Sequence, residues 1–78
     1  MPRIIGTINL SNHIQNLRNE KNITQQDLAE SVNVTRATII ALEKGSYNPS
    51  LELAFRLAKF FKKRVDEIFY EKKGASHE

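Results

Sequence analysis

Few side chains in this 78-residue chain could do chemistry, and the missing types narrow the field first. There is no cysteine, which removes disulfides and thiolate metal sites. His13 and His77 stand far apart and match no metal-ligand spacing. The chain holds no Ser/His/Asp or Cys/His arrangement and no glycine loop of the phosphate-cradling kind. The expectation is therefore a protein that is not an enzyme, with no catalytic residue, no metal and no cofactor. What remains is a set of cations. Arg36 and Lys44 bracket one short stretch, and Lys62-Lys63-Arg64 forms a second cluster. Guanidinium and ammonium groups bind anionic oxygens, yet a charge run read alone is usually a solvated face.

Composition sets the scale for those cations. Twelve Lys and Arg against nine Asp and Glu leave +3, an excess that fits nucleic acid, an anionic membrane surface or plain solubility. Apolar residues at 40% and charged residues at 27% place the chain among globular proteins, and its length allows a single small core. No apolar run approaches the roughly 18 residues of a membrane span, and no secretory leader pattern opens the chain. A cytoplasmic location without membrane contact is the expectation.

The elements that must position the cations read as helices. Residues 1–9 carry Pro2, Gly6 and β-branched Ile4, Ile5, Thr7 and Ile8, which favour an extended arm. Residues 71–78 are polar and predict a flexible tail. Between them, residues 10–70 form the domain. Leu10, Ile14 and Leu17 recur at i, i+4 and i+7, predicting a first helix that ends near Lys21-Asn22. Thr24 with Asp27 three residues on forms a capping box for the second helix, with Leu28, Ala29 and Val32 inward. Asn33, alone between two valines, marks the short turn to the next helix, and Asn tolerates the positive φ that such a turn demands. Thr35 caps the third helix and Gly45 closes it. Ser50 caps the fourth, where Phe55 and Phe60 exceed one inward stripe, and Val65, Ile68 and Phe69 form a short fifth. The fold class is all-α.

Two short helices joined by about three residues have helix-turn-helix geometry, in which the second helix offers its exposed face to a major groove. With Ile39 and Leu42 inward, that face carries Arg36, Ala37, Ile40, Ala41 and Lys44. The acids Asp27 and Glu30 fall on the preceding helix. The stretch IQNLRNEKNITQQDLAESVNVTRATIIALEKGSYNPSLELAFRLAKFF resembles the Cro/cI-type helix-turn-helix family, also called xenobiotic-response-element or lambda-repressor-like. Its most specific pieces are the segments around Leu17–Ala29, Val34–Ile39 and Glu43–Leu51.

The resemblance implies a five-helix, sequence-specific double-stranded-DNA-binding transcription regulator, repressor-like, acting as a homodimer on a palindromic operator. Carried over by position, Arg36, Ala37, Ile40 and Ala41 face the bases. Gln25, Thr35, Thr38, Lys44, Tyr47 and Asn48 match positions that contact the DNA backbone. Local chemistry offers plainer roles for several of these. Gln25 and Thr24 could simply cap a helix, Lys44 could simply complement the helix dipole at the C-terminus, and Tyr47 could simply cover a turn. The chain also departs from the family pattern. Asn33 stands where glycine is commoner, and Ala37 and Ile40 replace polar residues, which suggests contacts to thymine methyls. Lys62-Lys63-Arg64 replaces a glycine, an apolar residue and a hydroxyl residue, which calls the turn between helices 4 and 5 into question. The alternative function is an antitoxin-type or adaptor protein that uses the fold to hold a protein partner. For a homodimer, the expected contact is the helix 5 surface with Phe69-Tyr70, together with Phe55 and Phe60 and supported by the arm.

Overall fold

Four of the five helices stop at a residue in the left-handed region, and these stops set the architecture. The computed structural model describes residues 10–72. In chain order these form β1 (Leu10–Asn12), α1 (Ile14–Glu20), α2 (Gln25–Ser31), α3 (Arg36–Lys44), α4 (Leu51–Phe61), α5 (Val65–Ile68) and β2 (Phe69–Glu71). The left-handed residues are Asn22 (φ 56°), Asn33 (φ 62°), Gly45 (φ 79°) and Lys62 (φ 56°). Each closes its helix in the same manner. After α2, for example, the Asn33 N–H donates to the Glu30 carbonyl at 3.3 Å, and the Val34 N–H reaches the Ala29 carbonyl at 2.9 Å. This pair of bonds satisfies carbonyls that a helix end leaves open, and it reverses the chain within two residues.

Helix starts are equally local. Thr24, Thr35 and Ser50 each accept a backbone N–H three residues on, as their residue types predict. At α2 the box is complete, since the Thr24 N–H also donates to Asp27 Oδ2 at 3.0 Å. Between the caps, Ile14, Leu28, Ile39, Leu42, Leu57 and Ile68 are fully buried and form one core with Val32, Leu53 and Phe61. Each such side chain contributes roughly 1.5–3 kcal/mol when removed from water. Arg56 on α4 donates to the Val32 carbonyl at 3.2 Å, tying α4 to the end of α2.

Four sequence expectations are corrected. Leu10 is not part of α1, because Leu10–Asn12 pairs as an antiparallel strand with Phe69–Glu71, in the register Leu10 to Glu71 and Asn12 to Phe69. The Asn12 side chain enforces the change: its Oδ1 accepts the Ile14 N–H at 3.1 Å, and its Nδ2 donates to the Leu42 carbonyl at 2.8 Å. The helix therefore begins only at Ile14. For the same reason Phe69 leaves α5 for a strand and the tail starts after Glu71. The fold is five-helical with a two-stranded ribbon rather than strictly all-α. Within α4, Phe60 is half-buried against Phe61, edge to face at 5.0 Å, with the Lys21 ammonium 5.7 Å from its ring centre. The expected extended arm, residues 1–9, and the end of the tail lie outside the described residues.

Lys62 keeps the helix 4–5 turn intact despite its side chain. The Lys63 N–H donates to the Ala58 carbonyl at 3.0 Å and the Lys62 N–H to the Lys59 carbonyl at 3.3 Å. Arg64 then starts α5, its backbone N–H bonded to Glu67 at 2.7 Å and its guanidinium paired with Asp66 at 3.0 Å.

Candidate nucleic-acid interface

The third helix owes its orientation to the Asn33 turn and to what its inward side buries. Successive residues rotate by about 100°, so Ile39 and Leu42 in the core turn Ala37 and Lys44 to the opposite side. Ile40 and Ala41 flank that outward line and are half-buried, whereas Arg36, Ala37 and Lys44 are exposed. The four residues expected to face bases therefore share one face, with Arg36 on the edge nearest α2.

Donors stand on both sides of this face. On one side Thr35 and Thr38 place their hydroxyl oxygens 3.1 Å apart, and Thr35 Oγ1 also accepts the Thr38 N–H at 3.3 Å. One of the two O–H groups serves their mutual bond, which leaves the other to donate outward. On the other side a shallow groove is lined by Asn22, Thr24, Gln25, Gln26 and Arg36, so Gln25 and Arg36 share one groove although eleven positions separate them. Tyr47 and Asn48 are exposed in the connection from α3 to α4, directly after Lys44 and Gly45.

Sequence reasoning missed the groups that hold this arrangement together. Glu43, the one acid on α3, turns inward and pairs with Arg18 of α1 at 2.8 Å, both side chains nearly buried at 7% and 11% exposure. Arg18 reaches the second carboxylate oxygen at 3.3 Å and the Ile23 carbonyl at 3.1 Å. That same Glu43 oxygen accepts the Gln25 amide at 3.0 Å. The signal was legible: Arg18 follows inward Leu17 and Glu43 follows inward Leu42, so each sits at the margin of a core stripe. One consequence is electrostatic. The negative charge of α3 is neutralised inside, and its outward face carries only Arg36 and Lys44.

Charge on α2 is separate from that face. Asp27 is held below its ordinary pKa of 3.8 by the Thr24 backbone N–H, reinforced by the Thr24 side chain. Glu30 is bonded to Gln26 at 2.9 Å. Among the described residues no group of three His, Cys, Asp or Glu side chains is placed to hold a metal ion, and no helix is long and apolar enough to cross a membrane. His13 is exposed and stacks on Tyr70 at 4.8 Å between ring centres.

A helix-turn-helix family profile matches residues 14–68, from the first turn of α1 to the end of α5. The chain belongs to the Cro/cI-type helix-turn-helix family. It is similar to an uncharacterised helix-turn-helix-type transcriptional regulator of Methanocaldococcus jannaschii, 50% identical over 60 residues, covering 77% of this chain and 91% of that one. The cryptic phage CTXphi transcriptional repressor RstR of Vibrio cholerae is 36% identical over 58 residues, covering 74% of this chain and 52% of the repressor. Among solved structures, the restriction-modification controller protein C.AhdI of Aeromonas hydrophila aligns with a TM-score of 0.65 at 27% identity, over 70% of this chain and 83% of that chain.

Proposed function

We propose that this member of the family is a sequence-specific double-stranded-DNA-binding transcription regulator, repressor-like, that places α3 in the major groove. The observation that carries the proposal is the outward face of α3, where Arg36, Ala37, Ile40 and Ala41 stand between two sets of donors with no acid among them. Arg36 supplies a bidentate donor for a guanine edge, and Ala37 and Ile40 supply apolar contact for thymine methyls. Gln25, Thr35, Thr38, Lys44, Tyr47 and Asn48 hold the flanking phosphates, which fixes register without reading sequence. The relatives, a phage transcriptional repressor among them, support regulation of transcription.

The active species in this reading is a homodimer on a palindromic operator, with recognition helices about 34 Å apart. A module of this size covers few base pairs, and doubling it supplies the specificity that genomic competition requires. The surface that supports this dimer differs in part from the one expected from the sequence. Phe69 is buried and Phe60 half-buried, while Leu51 and Phe55 stand 71% and 54% exposed one turn apart on α4. Phe55 continues into a groove with Ala58 and Val65, and this face of α4 and α5 supports the dimer better than the helix 5 surface. An antitoxin-type adaptor would cover the same patch with a different protein.

Selection of binding sites from random duplexes, repeated at two salt concentrations, tests the proposal. Enrichment of a two-fold symmetric sequence, with affinity falling steeply as salt rises, is the expected result. No enriched sequence, or binding indifferent to salt, would refute it and favour the adaptor.

A further inference from the structure

We propose that Glu43 is a positioning residue for DNA binding: held by Arg18, its carboxylate presets the Gln25 amide, in the groove that Arg36 also lines, before DNA arrives. This rests on the reading above, in which Gln25 meets a phosphate. The observation is the shared acceptor. One carboxylate oxygen of Glu43 takes the Gln25 Nε2–H at 3.0 Å and the Arg18 Nη2–H at 3.3 Å, while the other takes the Arg18 Nε–H at 2.8 Å. Arg18 is fixed in turn by the Ile23 carbonyl at 3.1 Å.

Three helices therefore meet at one nearly buried carboxylate. A glutamine at the open start of a helix would otherwise sample several rotamers, and DNA binding would have to freeze one of them. Here the amide N–H that faces inward is already committed, so the rest of the group points outward in a fixed geometry. Glu43 lies on the recognition helix itself. Its bond to Gln25 fixes the distance between the phosphate-contacting end of α2 and the base-contacting face of α3. Preorganisation of this kind affects affinity for every DNA sequence alike, because it acts through a phosphate contact.

The test compares Gln25→Ala in two backgrounds of the full chain: wild type, and the apolar pair Arg18→Met with Glu43→Leu. Replacing both members of a buried pair by apolar residues is commonly tolerated, and thermal melts verify the fold. The apolar pair is expected to weaken binding to operator and random duplex by about three- to tenfold, the value of one preordered side chain. Gln25→Ala is then expected to weaken wild type but to change the apolar-pair background by less than about twofold. A folded apolar pair with full affinity, or Gln25→Ala acting equally in both backgrounds, overturns the positioning role. Hydrogen exchange of side-chain amides in free wild-type protein gives a second measurement that needs no variant. The Gln25 amide is expected to exchange more slowly than that of exposed Gln15, and equal rates overturn the preset geometry. A wild type that binds no DNA while its Gln25 amide is protected would instead overturn the DNA reading beneath the proposal.

Discussion

Lys62 occupies a left-handed turn (φ 56°, ψ 45°) at the end of α4, so Lys62→Gly should stabilise the protein relative to Lys62→Ala. An L-residue with a Cβ loses roughly 1–2 kcal/mol in this conformation, and glycine loses none of it. Glycine gives back about 0.4–1 kcal/mol through the greater freedom of the unfolded chain. The difference between the two variants is therefore about 0.5–1 kcal/mol in favour of glycine. Comparing them with each other matters, because both remove the same cation from the helix C-terminus and its dipole interaction cancels. For a domain of this size the difference corresponds to about 2–8 °C in Tm. Circular-dichroism melts of the two variants at matched pH and salt measure it. Gly45 supplies the mirror image: a Cβ there meets nothing closer than the Leu10 carbonyl at 3.8 Å. Gly45→Ala should thus lose roughly 1 kcal/mol from conformation alone. If Lys62→Ala melts at or above Lys62→Gly, left-handed strain is not what this turn carries and the reasoning fails.

Arg36→Ala should reduce operator affinity by about 1–3 kcal/mol and narrow the gap between operator and random DNA, whereas Gln25→Ala should weaken both equally; competition binding distinguishes them, and unchanged selectivity in Arg36→Ala removes its base-reading role. Replacing thymine by deoxyuridine in the selected operator should weaken binding at the positions beneath Ala37 and Ile40, and indifference at every thymine would show that the apolar face reads nothing. Phe55→Glu should turn a sedimenting dimer into a monomer with its melting temperature little changed, since Phe55 lies outside the core; a persistent dimer would move the contact elsewhere. Asp27 is depressed in the folded state, so its contribution is present above the unfolded-state pKa and is lost as pH falls through the folded one. Asp27→Asn should therefore flatten the loss of stability below about pH 4. An acid limb in pH-dependent melts identical to wild type would contradict this.

The local devices were legible in the sequence because each is decided within five residues. Thr24 with Asp27, Thr35, Ser50, Asn33 and Gly45 do what their side chains or lack of one dictate, and the stripes Leu28-Ala29-Val32 and Ile39-Leu42 follow from helical period. That was enough to orient α3 and to name the face bearing Arg36, Ala37, Ile40 and Ala41. Asn12 carries a local device as well, its side chain accepting the Ile14 N–H ahead of α1, but the spacing of Leu10, Ile14 and Leu17 hides it. Pairings between distant segments were another matter. Nothing in LSN or FYE marks them as partners, and the ribbon exists because α5 returns the chain to the start of α1, where the His13 N–H meets the Ile68 carbonyl at 2.9 Å. Phe60 and Phe69 looked like surface aromatics until the tertiary structure covered them, while Leu51 and Phe55 stayed exposed. The Arg18, Glu43 and Gln25 cluster joins residues up to 25 positions apart, and no periodicity records which charge meets which. The sequence by itself determined where each helix starts, stops and turns its apolar side. Only the packing of three helices decided that the acid of α3 would be neutralised inside, leaving a cationic face outside.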